Sequence, residues 1–178
     1  IVIGDSHSNA VITAVEKSLE GIAGGALFLG TDGCFSLINT TNWYFTNCNE
    51  YNEWVENQLS INQKLHGLPI IIVNRTTEIL KGGGEKVDIS KTRYINGIRQ
   101  GDSVYIEAFV KEYEHAVCSL TKTNPVYLMQ PIAEMRVNVP EYLSKIKLLG
   151  LESRDLQLSR AAYNARHQET LEIMQGIG

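Results

Sequence analysis

The sequence predicts an α/β protein, with a parallel sheet sandwiched between helices. Three observations carry that expectation. Short apolar segments alternate with amphipathic ones in the order strand, helix, repeated four times. Helices that separate short strands argue for right-handed crossovers and a parallel sheet. Residues 68–73 are apolar without a break, as a parallel strand covered on both faces requires. Finally, Asp5-Ser6, Asp32-Gly33 and Asn74-Arg75 each fall at the end of an expected strand, and sites in open parallel sheets gather at the carboxyl ends of strands.

Taken in order, residues 1–4 read as the first strand and 9–19 as a helix with Val11, Ala14 and Val15 on one face. Residues 26–29 form a second short strand that stops at Gly30, and 31–49 a loop rich in Gly, Asn and Thr. Residues 50–65 read as an amphipathic helix with Tyr51, Trp54, Val55 and Leu59 on its apolar side. An aromatic stripe at that spacing is read as core in preference to a ligand platform. After the third strand, 75–101 is irregular. Gly82-Gly83-Gly84 disfavours regular structure, and it lacks the Lys-Ser/Thr of a phosphate loop. Residues 76–101 are expected as a flexible surface insertion, with a small hairpin around Val87, Ile89, Tyr94 and Ile95. Asp102 or Ser103 caps a long helix running to about Leu120. Ile106, Phe109, Val110, Tyr113, Val117 and Leu120 fit its period. Residues 125–130 give the fourth strand, 140–149 a short helix with Pro at its start, and 155–174 a last helix.

At 178 residues and 43% hydrophobic, the chain is long enough for one buried core and short for two. With 16 basic and 20 acidic residues and no basic stripe, nucleic acid is not an expected partner. No apolar run is long enough to cross a bilayer. The chain lacks an initiator Met and starts inside a strand, which reads as a domain cut from a longer polypeptide. Cys34 and Cys48 bracket a polar, aromatic loop that a disulfide would staple, contributing roughly 3 kcal/mol. Three reduced, partly buried thiols are the alternative. Cys118 is left over in a helical pattern, either buried or paired outside the chain. No Cys/His cluster has zinc-ligand spacing, and no metal is expected.

The first strand runs straight into Gly4-Asp5-Ser6-His7-Ser8. A hydroxyl on a strand-to-helix turn sits beside the unpaired N–H groups of a helix start. Such donors stabilise a developing oxyanion, which suits Ser6 to nucleophilic chemistry. An ordinary N-capping serine is the bland reading of the same turn.

GDSHS at the first strand, a glycine after the second and Asn74 after the third together resemble the SGNH (GDSL-like) hydrolase superfamily. The narrower resemblance is to the SGNH domain of acyltransferase-3 proteins, which modify bacterial surface polysaccharides. It rests on GDSHS, on Thr31-Asp32-Gly33-Cys34 with a second cysteine downstream, and on Pro131-Ile132-Ala133-Glu134-Met135 leading to Val139-Pro140 and Leu143. The fold so implied is SGNH/flavodoxin-like. Ser6 matches the nucleophile, and its N–H, the Gly33 N–H and the Asn74 amide match the oxyanion hole. Asp5 would hold the turn by local hydrogen bonds. Gly30 competes with Gly33, which is preferred because Cys34 follows it. Arg75 is read as pairing with a carboxylate in preference to an anionic sugar.

One departure stands beside these matches. The family base is an Asp-x-x-His near the C-terminus, and none of the four histidines has Asp three places before it. His7 is expected to point away from Ser6, and His66 and His167 to lie near helix ends or on helix surfaces. Only His115 has an acid at that spacing, Glu112, and both lie late in a helix. The chain is therefore expected to lack its last strand and the catalytic Asp-x-x-His segment. A degenerate, inactive domain is the other explanation.

The resemblance implies O-acyl, most plainly O-acetyl, transfer to a surface polysaccharide through an acyl-Ser6 intermediate. It further implies no tightly bound cofactor, acetyl-CoA as ultimate acyl donor, an attached acyltransferase membrane domain, and a periplasmic or extracytoplasmic place. An esterase using the same site, and a non-catalytic glycan-binding module, are the alternatives.

Overall fold

A computed structural model describes residues 1–22, 24–36, 39–41, 47–82, 92–135, 137–152 and 156–177. Its centre is a four-stranded parallel sheet in the order β2-β1-β4-β7. These strands are β1 (Val2–Gly4), β2 (Phe28–Gly30), β4 (Ile70–Val73) and β7 (Val126–Leu128). The two inner strands are the apolar ones. Val2, Ile3, Ile70, Ile72 and Val73 are all buried, because helices cover both faces. Those helices are α1 (Ser6–Ser18), α2 (Cys48–Ile61), α3 (Thr76–Lys81), α4 (Tyr105–Thr121), α5 (Val139–Leu148) and α6 (Arg160–Gly176). The α/β class with a parallel sheet is as the sequence predicts.

Register at the sheet centre is tight. Gly4 pairs with Gly30 on one side and Val73 on the other. A Cβ on Gly4 would run into Val73 O and Ser8 Cβ, and one on Gly30 into Ser8 Oγ and the Phe28 ring. The glycines let the buried Ser8 of α1 settle on the strand ends, where Ser8 Oγ donates to Asp5 O at 2.6 Å. Gly30 is thus a packing glycine.

Several elements differ from expectation. Helix α1 begins at Ser6, three residues early, because Asp5 is its N-cap. Residues 76–81 are not irregular but form α3, which buries Thr76, Thr77, Ile79 and Leu80. A hairpin joins β5 (Tyr94–Ile95) to β6 (Ile98–Arg99), and β5 pairs with β3 (Thr40–Thr41) in a small antiparallel sheet. Its turn is Asn96-Gly97, both at positive φ (50° and 79°), the geometry two-residue hairpins favour. The expected strand around Val87 and Ile89 lies outside the described residues.

The core is aromatic beneath the helices. Phe35 meets Phe109 and Tyr113 edge-on at 5.7 and 5.5 Å between ring centres. Of the expected α2 stripe, Val55 and Leu59 are buried and Tyr51 half-buried, but Trp54 is 48% exposed. In α4, Ile106 is likewise exposed while Phe109, Tyr113, Val117 and Leu120 are buried. Cys118 is an exposed free thiol, not a buried one. Helix α5 buries no side chain.

Candidate functional site

Ser6 is the first residue of α1 and is exposed. Asp5 serves the next two N–H groups. Its Oδ1 accepts from His7 N at 2.9 Å, and its carbonyl accepts from Ser8 N at 2.9 Å. A first-turn N–H has no intrahelical acceptor, and among the described residues none takes the Ser6 N–H. An exposed hydroxyl and a spare amide donor therefore belong to one residue.

The second Asp5 oxygen accepts from Arg75 N at 2.6 Å. Desolvation nevertheless pushes this carboxyl above its ordinary range, against the N–H groups of Arg75 and His7 that favour the charge.

Asn74 joins three chain segments. Its Oδ1 accepts from Asp5 N at 3.1 Å and from Ser36 N at 3.2 Å, and its Nδ2 donates to Ser36 Oγ at 3.0 Å. All three residues are buried. Burial pushes the Tyr113 phenol well up, and a hydrogen bond with the Asn74 side chain only partly offsets that.

Gly33 lies in the loop that Ser36 anchors, at φ 76°. Its neighbour Cys34 is disulfide-bonded to Cys48, with 5.3 Å between the Cα atoms. Asn52 Nδ2 donates to Phe35 O at 2.9 Å. The start of α2 and the Gly33 loop are thereby held together. The structure thus brings Asp5, Ser6 and Asn74 into one junction, and ties Gly33 to it through Ser36.

A charged network stands on the other side. Arg75 Nε meets Glu134 Oε1 at 2.7 Å, and Arg75 Nη1 meets Glu78 at 2.8 Å. Arg166 Nε meets the other Glu134 oxygen at 3.0 Å. Burial works against the Glu134 charge, but Arg75 and Arg166 win and hold its carboxyl below the ordinary range. Arg75 is paired with carboxylates, in line with its reading from sequence.

Among the described residues, no histidine hydrogen-bonds Ser6 Oγ. His7 Nδ1 lies 3.5 Å from Asp5 Oδ1. His66 Nε2 contacts Ser60 O at 3.0 Å. His115 is exposed on α4, and Glu112 accepts from Asn96 at 2.9 Å. His167 is not on a helix surface. It is buried between α6 and α3, with Nδ1 2.7 Å from Thr77 Oγ1 and Nε2 unpartnered among the described residues. Desolvation lowers its pKa.

Sequence reasoning did not find Ser36, Tyr113, Glu134 or Arg166 as supports of this junction. Their partners in these networks all lie at least 32 positions away, so no local pattern marks them. Among the described residues, no group of three His, Cys, Asp or Glu side chains could hold a metal ion, and no helix is long and apolar enough to cross a membrane.

Compared with known proteins, all 178 residues match a family model described as "SGNH domain (fused to AT3 domains)". Searches of the curated proteins and of the solved structures matched nothing.

Proposed function

The chain belongs to the SGNH domains that are fused to AT3 domains, and from that premise we propose that it transfers an acyl group, as an ester on Ser6, to a polysaccharide hydroxyl. Membership itself points to acyltransferase- or esterase-type activity in a membrane-associated protein. Transfer, the acceptor and the residue roles are our reading. The observation that carries it is Ser6 itself, exposed at the first position of α1 beside an N–H that no described residue accepts.

In this reading Ser6 Oγ attacks the acyl carbonyl and gives its proton to a base. The tetrahedral oxyanion accepts from the Ser6 N–H and Gly33 N–H, with Asn74 Nδ2 as third donor once it releases Ser36 Oγ. Collapse expels the donor's leaving group. A sugar hydroxyl then attacks the acyl-enzyme and regenerates Ser6. Removing one oxyanion donor typically costs about 10² to 10³ in turnover. Asp5 acts by position: its carboxylate fixes the turn through His7 N and Arg75 N. The proton acceptor is proposed to be an Asp-x-x-His pair, a pattern that the 178 residues do not contain. The acyl group is proposed to come from acetyl-CoA through the attached membrane domain, with the site itself in the periplasm.

A fluorophosphonate probe applied to the full AT3-fused protein tests the nucleophile. Mass spectrometry should place the adduct on Ser6, and Ser6→Ala should abolish it without changing the melting curve. Absence of Ser6 labelling in the full AT3-fused protein, which on this reading carries the base, or labelling elsewhere, would sink the proposal. An acetyl ester offered with and without glycan tests transfer: faster release to water than to glycan makes the domain an esterase.

A further inference from the structure

The Asn74 amide can face only one way. Two backbone N–H groups, of Asp5 at 3.1 Å and of Ser36 at 3.2 Å, converge on one atom of its head, which must be the oxygen. The nitrogen faces Ser36 Oγ at 3.0 Å, and the same Oγ lies 3.1 Å from Oδ1. The Tyr113 phenol is a further partner. Its hydrogen bond with Asn74 offsets part of the upward push of burial, so the phenol oxygen accepts and Nδ2 donates. An amide nitrogen carries two hydrogens. Both find acceptors inside the protein, and Asn74, Ser36 and Tyr113 are all buried.

These partners differ in how easily they leave. The N–H groups of Asp5 and Ser36 belong to the backbone. Tyr113 is wedged among rings, 5.5 Å from Phe35 and 5.4 Å from Phe109 between centres. Ser36 Oγ hangs on one rotatable bond with three staggered positions. Turning that bond takes Oγ off Nδ2 while Ser36 N keeps its hold on Oδ1. The backbone beneath it is anchored, because Phe35 O accepts from Asn52 at 2.9 Å. Of the groups that occupy the Asn74 amide, the Ser36 hydroxyl is thus the one built to move.

We propose that Ser36 is a positioning residue that gates the third oxyanion donor. Its hydroxyl closes Asn74 Nδ2 in the resting site and turns away as charge develops on the acyl oxygen. This rests on the reading that Asn74 serves the oxyanion. One hydrogen bond is exchanged for another, from a neutral acceptor to a charged one, and no covalent bond of Ser36 changes. Hydrogen bonds to an ionised acceptor are roughly twice as strong as neutral ones. A neutral ester or water oxygen therefore gains little by displacing Ser36 Oγ, whereas the tetrahedral oxyanion gains much. The gate reserves the donor for the transition state, where binding accelerates the reaction.

The test compares rates of fluorophosphonate labelling at Ser6 in the full AT3-fused protein. Ser36→Ala keeps the backbone N–H on Oδ1 and removes the competing oxygen. It should label about fivefold faster, equivalent to about 1 kcal/mol, the net size of one neutral hydrogen bond. Ser36→Thr keeps the hydroxyl and should label at the parent rate. In an Asn74→Ala background the gain from Ser36→Ala should vanish, because the gate acts through Nδ2 alone. NMR of the 178-residue chain gives a readout that needs no activity. The Asn74 Nδ2 protons should exchange slowly with water in the parent. In Ser36→Ala one of their signals should move upfield, as a proton losing its acceptor does, while the Asp5 amide signal stays. Fast exchange in the parent, or an unmoved Nδ2 signal in Ser36→Ala, overturns the gate. A gain that survives Asn74→Ala overturns it as well. Labelling of Ser36→Ala at or below the parent rate makes Ser36 a purely structural support and overturns the gate alone. A parent whose Ser6 takes no label overturns the serine chemistry and the gate with it.

Discussion

Two networks flank the carboxyl end of β1, and they are built from different chemistry. On one side Asn74, Ser36 and the Asp5 backbone exchange neutral, buried hydrogen bonds, with a disulfide two residues away. On the other, Arg75, Glu78, Glu134 and Arg166 form a charged, partly exposed chain. The neutral side fixes positions that salt and pH leave alone. The charged side couples α6 to the β4–α3 junction through groups that both can weaken. Precision at Ser6 and Gly33 is thus assigned to the neutral side.

The contrast can be broken by substitution. Asn74→Ala should have the largest effect. It strands the N–H groups of Asp5 and Ser36 in a buried site, at about 3 kcal/mol, read by urea denaturation. An effect below that of Glu134→Gln would invert the ranking. Reducing the Cys34–Cys48 bond should come next, at roughly 3 kcal/mol or less, read as a lower melting temperature with reductant. Cys34→Ser should no longer respond to reductant. Glu134→Gln should cost about 1.5 kcal/mol and, unlike Asn74→Ala, lose part of its effect in high salt.

Acid sharpens the comparison. Glu134 titrates below its unfolded value, so its contribution is present above the ordinary carboxylate range and is lost as pH falls through its lowered folded pKa. Glu134→Gln should remove that loss. Asp5 runs the other way: its raised pKa means stability declines as pH rises from the ordinary carboxylate value to the folded one. His167, with its lowered pKa, costs stability as pH falls below the ordinary imidazole value of about 6.5. His167→Gln should flatten that limb of a stability-versus-pH curve. Smallest of all, Lys145→Ala breaks an exposed pair with Glu141 and should change stability by about 0.5 kcal/mol or less.

The fold was legible where one residue type repeats. The unbroken Ile70–Val73 run and the period of α4 reflect burial on two faces and on one. Helix α3 was missed because six residues ahead of three glycines give too short a period to read. The Asn96-Gly97 turn was legible in principle, but its strands are two residues each. For the candidate site, Gly4-Asp5-Ser6 announced a helix start with a hydroxyl on it, because capping is local. Ser36, Glu134 and Arg166 act across the fold, and no spacing encodes such partners. Trp54 was misread because Tyr51, Val55 and Leu59 share its period, and hydrophobicity alone does not say which edge of a stripe is covered.

At the opposite margin of the sheet, β7 is an outermost strand among those described. Its Tyr127 is 59% exposed, and the nearby Met129 and Ile132 are exposed as well. A margin of that kind offers backbone groups to any passing strand. Concentrated solutions of the chain should therefore grow turbid on storage, and Tyr127→Lys, which plants a charge on that border, should keep them clear.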